Sequence, residues 1–188
     1  PFKNELIVEN DLKKVFETDF KSNIVYTSGQ NIDRLVSIYK AATKANKILI
    51  VDLYVATILK ELSGFARIPH PSKVFENVKV IFPYYTSKRL ASQGNKKILY
   101  QFKNYKIKKE EISKNPYDYV IIVRPSMQAD LDHIEGIDGG NFIYSMWEGY
   151  KEKPATKKFL GYFKSRGFSI IDIHTSGHAD LATLQQMV

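Results

Sequence analysis

Six short runs of mostly branched apolar residues recur along the chain, at 22–27, 47–52, 78–82, 117–124, 140–145 and 168–174. Runs this short and this continuously apolar are strands covered on both faces, which requires helices in the connections between them. The intervening stretches carry the matching period. Residues 10–20 place Leu12, Val15, Phe16 and Phe20 on one face of a helix. Asn31 can cap a helix to about residue 45, with Ile32, Leu35, Val36, Tyr39 and Ala42 facing inward. Further helices are expected over 55–63 and 155–166, two short ones within 87–115, and a helical turn after Pro125. Strands alternating with helices in this way give an α/β fold: a parallel, doubly wound sheet with helices on both faces.

In such sheets ligands bind beyond the carboxyl ends of the strands. The residues there form a polar series: Ser28, Gly29, Gln30 and Asn31; Asp52; Arg124, Pro125 and Ser126; Ser145; and His174 through His178. Small hydroxyls, glycines and helix starts suit a phosphate or another oxyanion. The same residue types are also ordinary turn and cap residues. His174 and His178 lie four apart, a spacing that can hold zinc when both face one way, but Ser176 and Gly177 put a turn between them. His178, at the expected start of a helix, is better placed to donate a proton to a leaving oxygen.

The net charge of +8 is unevenly spread. Nine basic residues (Lys88, Arg89, Lys96, Lys97, Lys103, Lys106, Lys108, Lys109 and Lys114) face only Glu110 and Glu111 in the same stretch, interleaved with Tyr100, Phe102 and Tyr105. Such a patch can track a phosphate backbone and stack bases, or be a solvated lysine-rich surface. Trp147, with Tyr144 and Tyr150, could likewise stack a base or pack against protein. Asp132, His133 and Glu135 are a conceivable metal cluster, although adjacent side chains point apart. The chain has no cysteine, which excludes disulfides and thiolate metal sites. No apolar run approaches the roughly 18–20 residues of a membrane span, so a soluble, cytoplasmic protein with no membrane partner is expected. The sequence opens on Pro1 and closes at Val188 within a helical pattern, as expected of a piece of a longer protein.

The segment Ile171-Asp-Ile-His174-Thr-Ser-Gly-His178-Ala-Asp180 resembles the second signature of the β-CASP family of metallo-β-lactamase-fold nucleases, to which RNase J belongs. Thr27 through Arg34, Lys47 through Tyr54, the Arg124–Ser126 turn and Phe142 through Gly149 are similar to segments of the same family, so the resemblance spans nearly the whole chain. It implies a Rossmann-like β-CASP domain over 23–166, a lead-in helix within 1–22, and over 167–188 a strand, loop and helix of a truncated metallo-β-lactamase domain. It implies a zinc-dependent phosphodiester hydrolase acting on single-stranded RNA. His178 would be the catalytic general acid, with Ser176 and Gly177 shaping its phosphate contact. Asn31 and Arg34 would lie at the substrate cleft and Ser145 on a neighbouring loop; Ser28, Gln30, Arg124, Ser126 and His174 complete the expected substrate-binding set. Two zinc ions would activate the attacking water.

The family's His-x-His-x-Asp-His zinc motif is absent from these residues. Both metals are therefore expected in the rest of the parent's hydrolase domain, with this piece binding no metal and inactive by itself; a homodimer is an open expectation. Two other readings stay open: a metallo-β-lactamase-type hydrolase of a small, non-nucleic-acid substrate, and a non-catalytic Rossmann-like interaction module.

Overall fold

The computed structural model describes residues 5–18 and 20–175. In chain order its elements are α1 (Glu5–Phe16), β1 (Asn23–Tyr26), α2 (Ile32–Lys44), β2 (Ile48–Asp52), α3 (Leu53–Leu62), β3 (Val78–Ile81), α4 (Tyr84–Ser92), α5 (Lys96–Gln101), α6 (Lys109–Lys114), β4 (Tyr119–Val123), α7 (Gln128–Leu131), β5 (Asn141–Tyr144), α8 (Pro154–Ser165) and β6 (Ser169–Asp172), with short 3-10 turns between some of them. All the strand pairings are parallel, and the sheet order is β3-β2-β4-β1-β5-β6.

Each strand feeds both faces because successive side chains point opposite ways. Val25, Leu49, Val51, Val120, Ile122 and Ile143 join the apolar faces of α1, α2 and α3 in one core. Ile24, Ile50, Ile121, Val123 and Phe142 join residues of α6, α7 and α8 in the other. The chain leaves β1 and β2 over the first face, toward β3. It leaves β4 and β5 over the second, toward β6. The direction of winding therefore switches beside β1, the position at which such sheets open a crevice at their carboxyl ends.

Local chemistry fixes several junctions. Asn31 Oδ1 accepts the Arg34 amide at 3.1 Å and starts α2, as its sequence position predicts. Asp52 caps α3 by accepting the Val55 amide at 2.9 Å, so this helix begins two residues earlier than the pattern alone suggests. At the start of β5 the backbone passes so close to β1 that a Cβ on Gly140 would lie 2.5 Å from the Ser22 carbonyl oxygen.

Two expectations need correction. The first helix spans Glu5–Phe16, and Phe20 lies beyond it with positive φ (54°) and 82% exposed, outside the core. The chain has to turn there to enter β1, and a 3.6-residue period cannot register that turn. The basic stretch folds as three short helices rather than two, with Phe102 buried in the core and Tyr105 packed partly against it. At the other edge of the sheet, β6 pairs with β5.

Candidate functional site

Along the carboxyl edge, in sheet order, lie Tyr84 and Tyr85 after β3, Asp52 and Tyr54 at β2, Arg124 and Ser126 after β4, Ser28 to Asn31 after β1, Ser145 to Tyr150 after β5, and His174 after β6. Three of these loops converge on Arg124. Its Nη2 pairs with Asp52 Oδ2, and its guanidinium lies 4.6 Å from the centre of the Tyr54 ring. Gln30 Nε2 donates to the Tyr54 hydroxyl at 3.4 Å. Gly29 allows this approach, because a Cβ there would sit 2.8 Å from a Tyr54 ring carbon. Asp52 is buried, whereas the Arg124 side chain is 29% exposed, so the cation is anchored from below and reaches solvent. Ser28 and Ser126 are exposed beside it, the Ser28 hydroxyl accepting the Gln30 amide at 3.3 Å.

Arg34 does something different. Its side chain is fully buried, and its donors are all engaged. Nε reaches Glu5 at 3.1 and 3.2 Å and Nη2 reaches Glu5 Oε1 at 2.9 Å and Thr175 Oγ1 at 3.1 Å. Nη1 donates to the Ser145 hydroxyl and, at 3.4 Å, to the Ile173 carbonyl. The Ser145 hydroxyl in turn donates to the Ile173 carbonyl at 2.6 Å. A guanidinium has five N–H donors, so none is left for a substrate. Arg34 and Ser145, which the resemblance places at the substrate cleft and on a neighbouring loop, form beside β1 a clamp that joins α1, α2, the end of β5 and the chain after β6. The Asn31 side-chain oxygen is likewise spent on its helix cap.

Burial raises the pKa of the Glu5 carboxyl, but hydrogen bonds from Arg34 and Ser37 and the Arg34 charge outweigh it and hold the group below its ordinary value. His174 sits next to the clamp. Burial, and after it the Arg34 charge, lowers its pKa against the opposing pull of Glu5, and its Nδ1 is buried without a partner. It lines a cavity of about 260 Å³ with Tyr144, Met146, Glu148, Lys151 and Asp172. Lys151 pairs with Asp172 at 2.6 Å and lies 5.0 Å from the centre of the Tyr144 ring. The Tyr144 hydroxyl donates to the Trp147 carbonyl at 3.0 Å, and burial above all pushes its pKa up to about 12.

Three aromatic residues of this edge, Tyr54, Tyr84 and Tyr85, were not singled out by sequence, and they are 38%, 59% and 66% exposed; Trp147 and Tyr150, weighed there as rings that stack a base or pack against protein, are 58% and 37% exposed. Trp147 and Tyr150 meet edge to face at 5.3 Å, and Lys153 lies 4.2 Å from the centre of the Tyr150 ring. The signal available was position: each follows a strand by a few residues. Ser176, Gly177 and His178 lie outside the described residues. Asp132, weighed as a metal ligand, is taken by the Tyr162 hydroxyl at 2.6 Å and by Arg166. Among the described residues no group of three or more His, Asp or Glu side chains could hold a metal ion, so the zinc implied by the resemblance has no ligand set here. Among these residues, too, no helix is long and apolar enough to cross a membrane. No known family model matches the chain, and no curated protein is significantly similar to it.

Proposed function

We propose that this chain is the RNA-handling α/β domain of a zinc-dependent phosphodiester hydrolase, and that it holds single-stranded RNA along the carboxyl edge of its sheet. The observation that carries this reading is Arg124, fixed by Asp52 and Tyr54 but open to solvent, in a row with exposed aromatic rings at both ends of the same edge. A guanidinium pre-oriented in this way recognises a phosphate oxygen pair, and exposed rings stack bases without regard to sequence. Six strands at about 4.8 Å spacing make this edge roughly 24 Å long, room for several nucleotides. The crevice beside β1 is filled by Arg34 and Glu5, which favours a ligand lying along the surface over a small molecule enclosed at the switch point. The resemblance of Ile171 through Asp180 to the β-CASP signature supplies the hydrolase part of the reading. Hydrolysis would depend on groups of the parent beyond the described residues.

Fluorescence anisotropy with a labelled single-stranded RNA of twelve nucleotides tests the binding reading. The chain should bind it, with affinity falling steeply between about 50 and 200 mM salt as counterions are released. Trp147→Ala should weaken binding by the roughly 1–3 kcal/mol of a lost stacking contact, with thermal stability unchanged. No binding at low salt, or binding indifferent to salt, refutes the proposal.

A further inference from the structure

At the β3 side of this edge, α4 and α7 enclose a cavity of about 420 Å³ lined by Tyr84, Tyr85, Lys109, Ala129, Asp130 and His133. That volume lies within the range of about 300–1,000 Å³ usual for small-ligand pockets. Asp130 is 1% exposed. Its Oδ1 accepts the Tyr84 amide at 3.0 Å and pairs with Lys109 Nζ at 2.6 Å. Its Oδ2 is equally buried and has no partner. Buried carboxylate oxygens are nearly always satisfied, and an ionised carboxylate only accepts, so this oxygen keeps an acceptor site open. Tyr84 and Tyr85 line the cavity and are both exposed, with their rings 5.4 Å apart, edge to face. The His133 Nδ1 lies 2.7 Å from the Ala129 carbonyl oxygen. Nδ1 therefore donates to that carbonyl, which fixes the ring beside the cavity.

We propose that this cavity is a nucleobase subsite that selects, from the strand lying along the edge, a base bearing an exocyclic amino group. The inference rests on the RNA reading and deepens it by adding base preference. The tyrosine rings supply a stacking surface that any base can use. The acceptor oxygen supplies the discrimination. Cytosine N4 and adenine N6 present amino hydrogens at a corner of the ring, and Asp or Glu accepting from cytosine N4 is an established pairing. Uracil offers only N3–H, flanked by two carbonyl oxygens that a carboxylate repels.

Anisotropy titrations of the chain with labelled octamers of cytidine and of uridine, at one low salt concentration, test this directly. The cytidine octamer should bind about ten-fold more tightly, as expected for one hydrogen bond to a charged acceptor. In Asp130→Asn the amide oxygen must keep facing the Tyr84 amide and Lys109, which puts the NH2 group where Oδ2 was. The preference should then vanish or reverse toward uridine. Equal affinities for the two octamers in the wild-type chain overturn the subsite and leave the RNA reading standing, and this comparison needs no variant to fold. A cytidine preference that persists in Asp130→Asn also overturns it, since another group would then be reading the amine. If neither octamer binds, the RNA reading fails and the subsite with it.

Discussion

Replacing Glu5 by Gln removes one charge from the clamp and leaves the shape of the side chain intact. Arg34 would then hold a full positive charge with 0% exposure and only neutral partners in Ser145, Thr175 and the Ile173 carbonyl. Breaking a buried pair by removing one partner costs about 3–5 kcal/mol. Glu5 is itself 33% exposed, and water screens part of its attraction, which lowers the expected loss to about 2–3 kcal/mol. With an m-value near 2–3 kcal/mol/M, the urea midpoint should fall by about 1 M while m stays the same. The double variant Glu5→Gln with Arg34→Met should recover part of that loss, because no uncompensated charge remains. Urea unfolding followed by tryptophan fluorescence at pH 7 reads both. A midpoint shift under about 0.2 M, or losses that simply add in the double variant, would refute the claim that the pair holds the crevice closed.

Three other outcomes follow from the same geometry. Gly140→Ala should destabilise by about 3 kcal/mol in chemical denaturation, since the new Cβ meets the Ser22 carbonyl oxygen as well as its hydroxyl, and the backbone cannot move aside as a side chain can. Arg124→Gln should reduce the magnitude of the slope of log affinity for single-stranded RNA against log salt by about 0.7, the share of one phosphate contact. Acid lability should set in early. The pKa of His174 is lowered in the folded protein, so as pH falls below about 6.5 the unfolded chain takes up the proton first and stability declines, levelling off once the native imidazole protonates. Glu5 adds a second decline below about pH 4.3, ending once pH has passed its depressed native value. His174→Gln should flatten the upper part of the stability–pH curve and leave the lower part in place.

Much of the architecture can be read from period alone. The six apolar runs became six strands because residues buried on both faces leave a continuous apolar signature that needs no knowledge of neighbours. The Asn31 cap was legible for a similar reason: the bond spans three residues. What sequence could not show were side chains whose meaning depends on distant partners. The bonds of Arg34, read by sequence only as a residue of the substrate cleft, could not be seen there, because the carboxylate that neutralises it is 29 residues upstream and its hydroxyl partners lie 111 and 141 residues downstream. Arg124 was placed correctly at the carboxyl edge, yet its anchoring by Asp52 joins loops 72 residues apart. Asp130 gave no signal at all, since its burial comes from the packing of α7 against the start of α4. Phe102 and Phe20 show the converse failure. Both were read from local context, and tertiary packing buried the first and expelled the second.

The clamp around Arg34 also bears on the order in which the molecule assembles. Its bonds connect Glu5 with α2, and α2 with the chain beyond β6, so they close only after β1, β5 and β6 lie side by side. An all-parallel sheet already demands pairings between remote segments, which makes its folding slow. A contact completed after those pairings contributes little to the folding barrier and mostly to the barrier against unfolding. Weakening it should therefore leave the refolding rate nearly unchanged and shorten the lifetime of the native state, so that Arg34 works as a latch set last and released first.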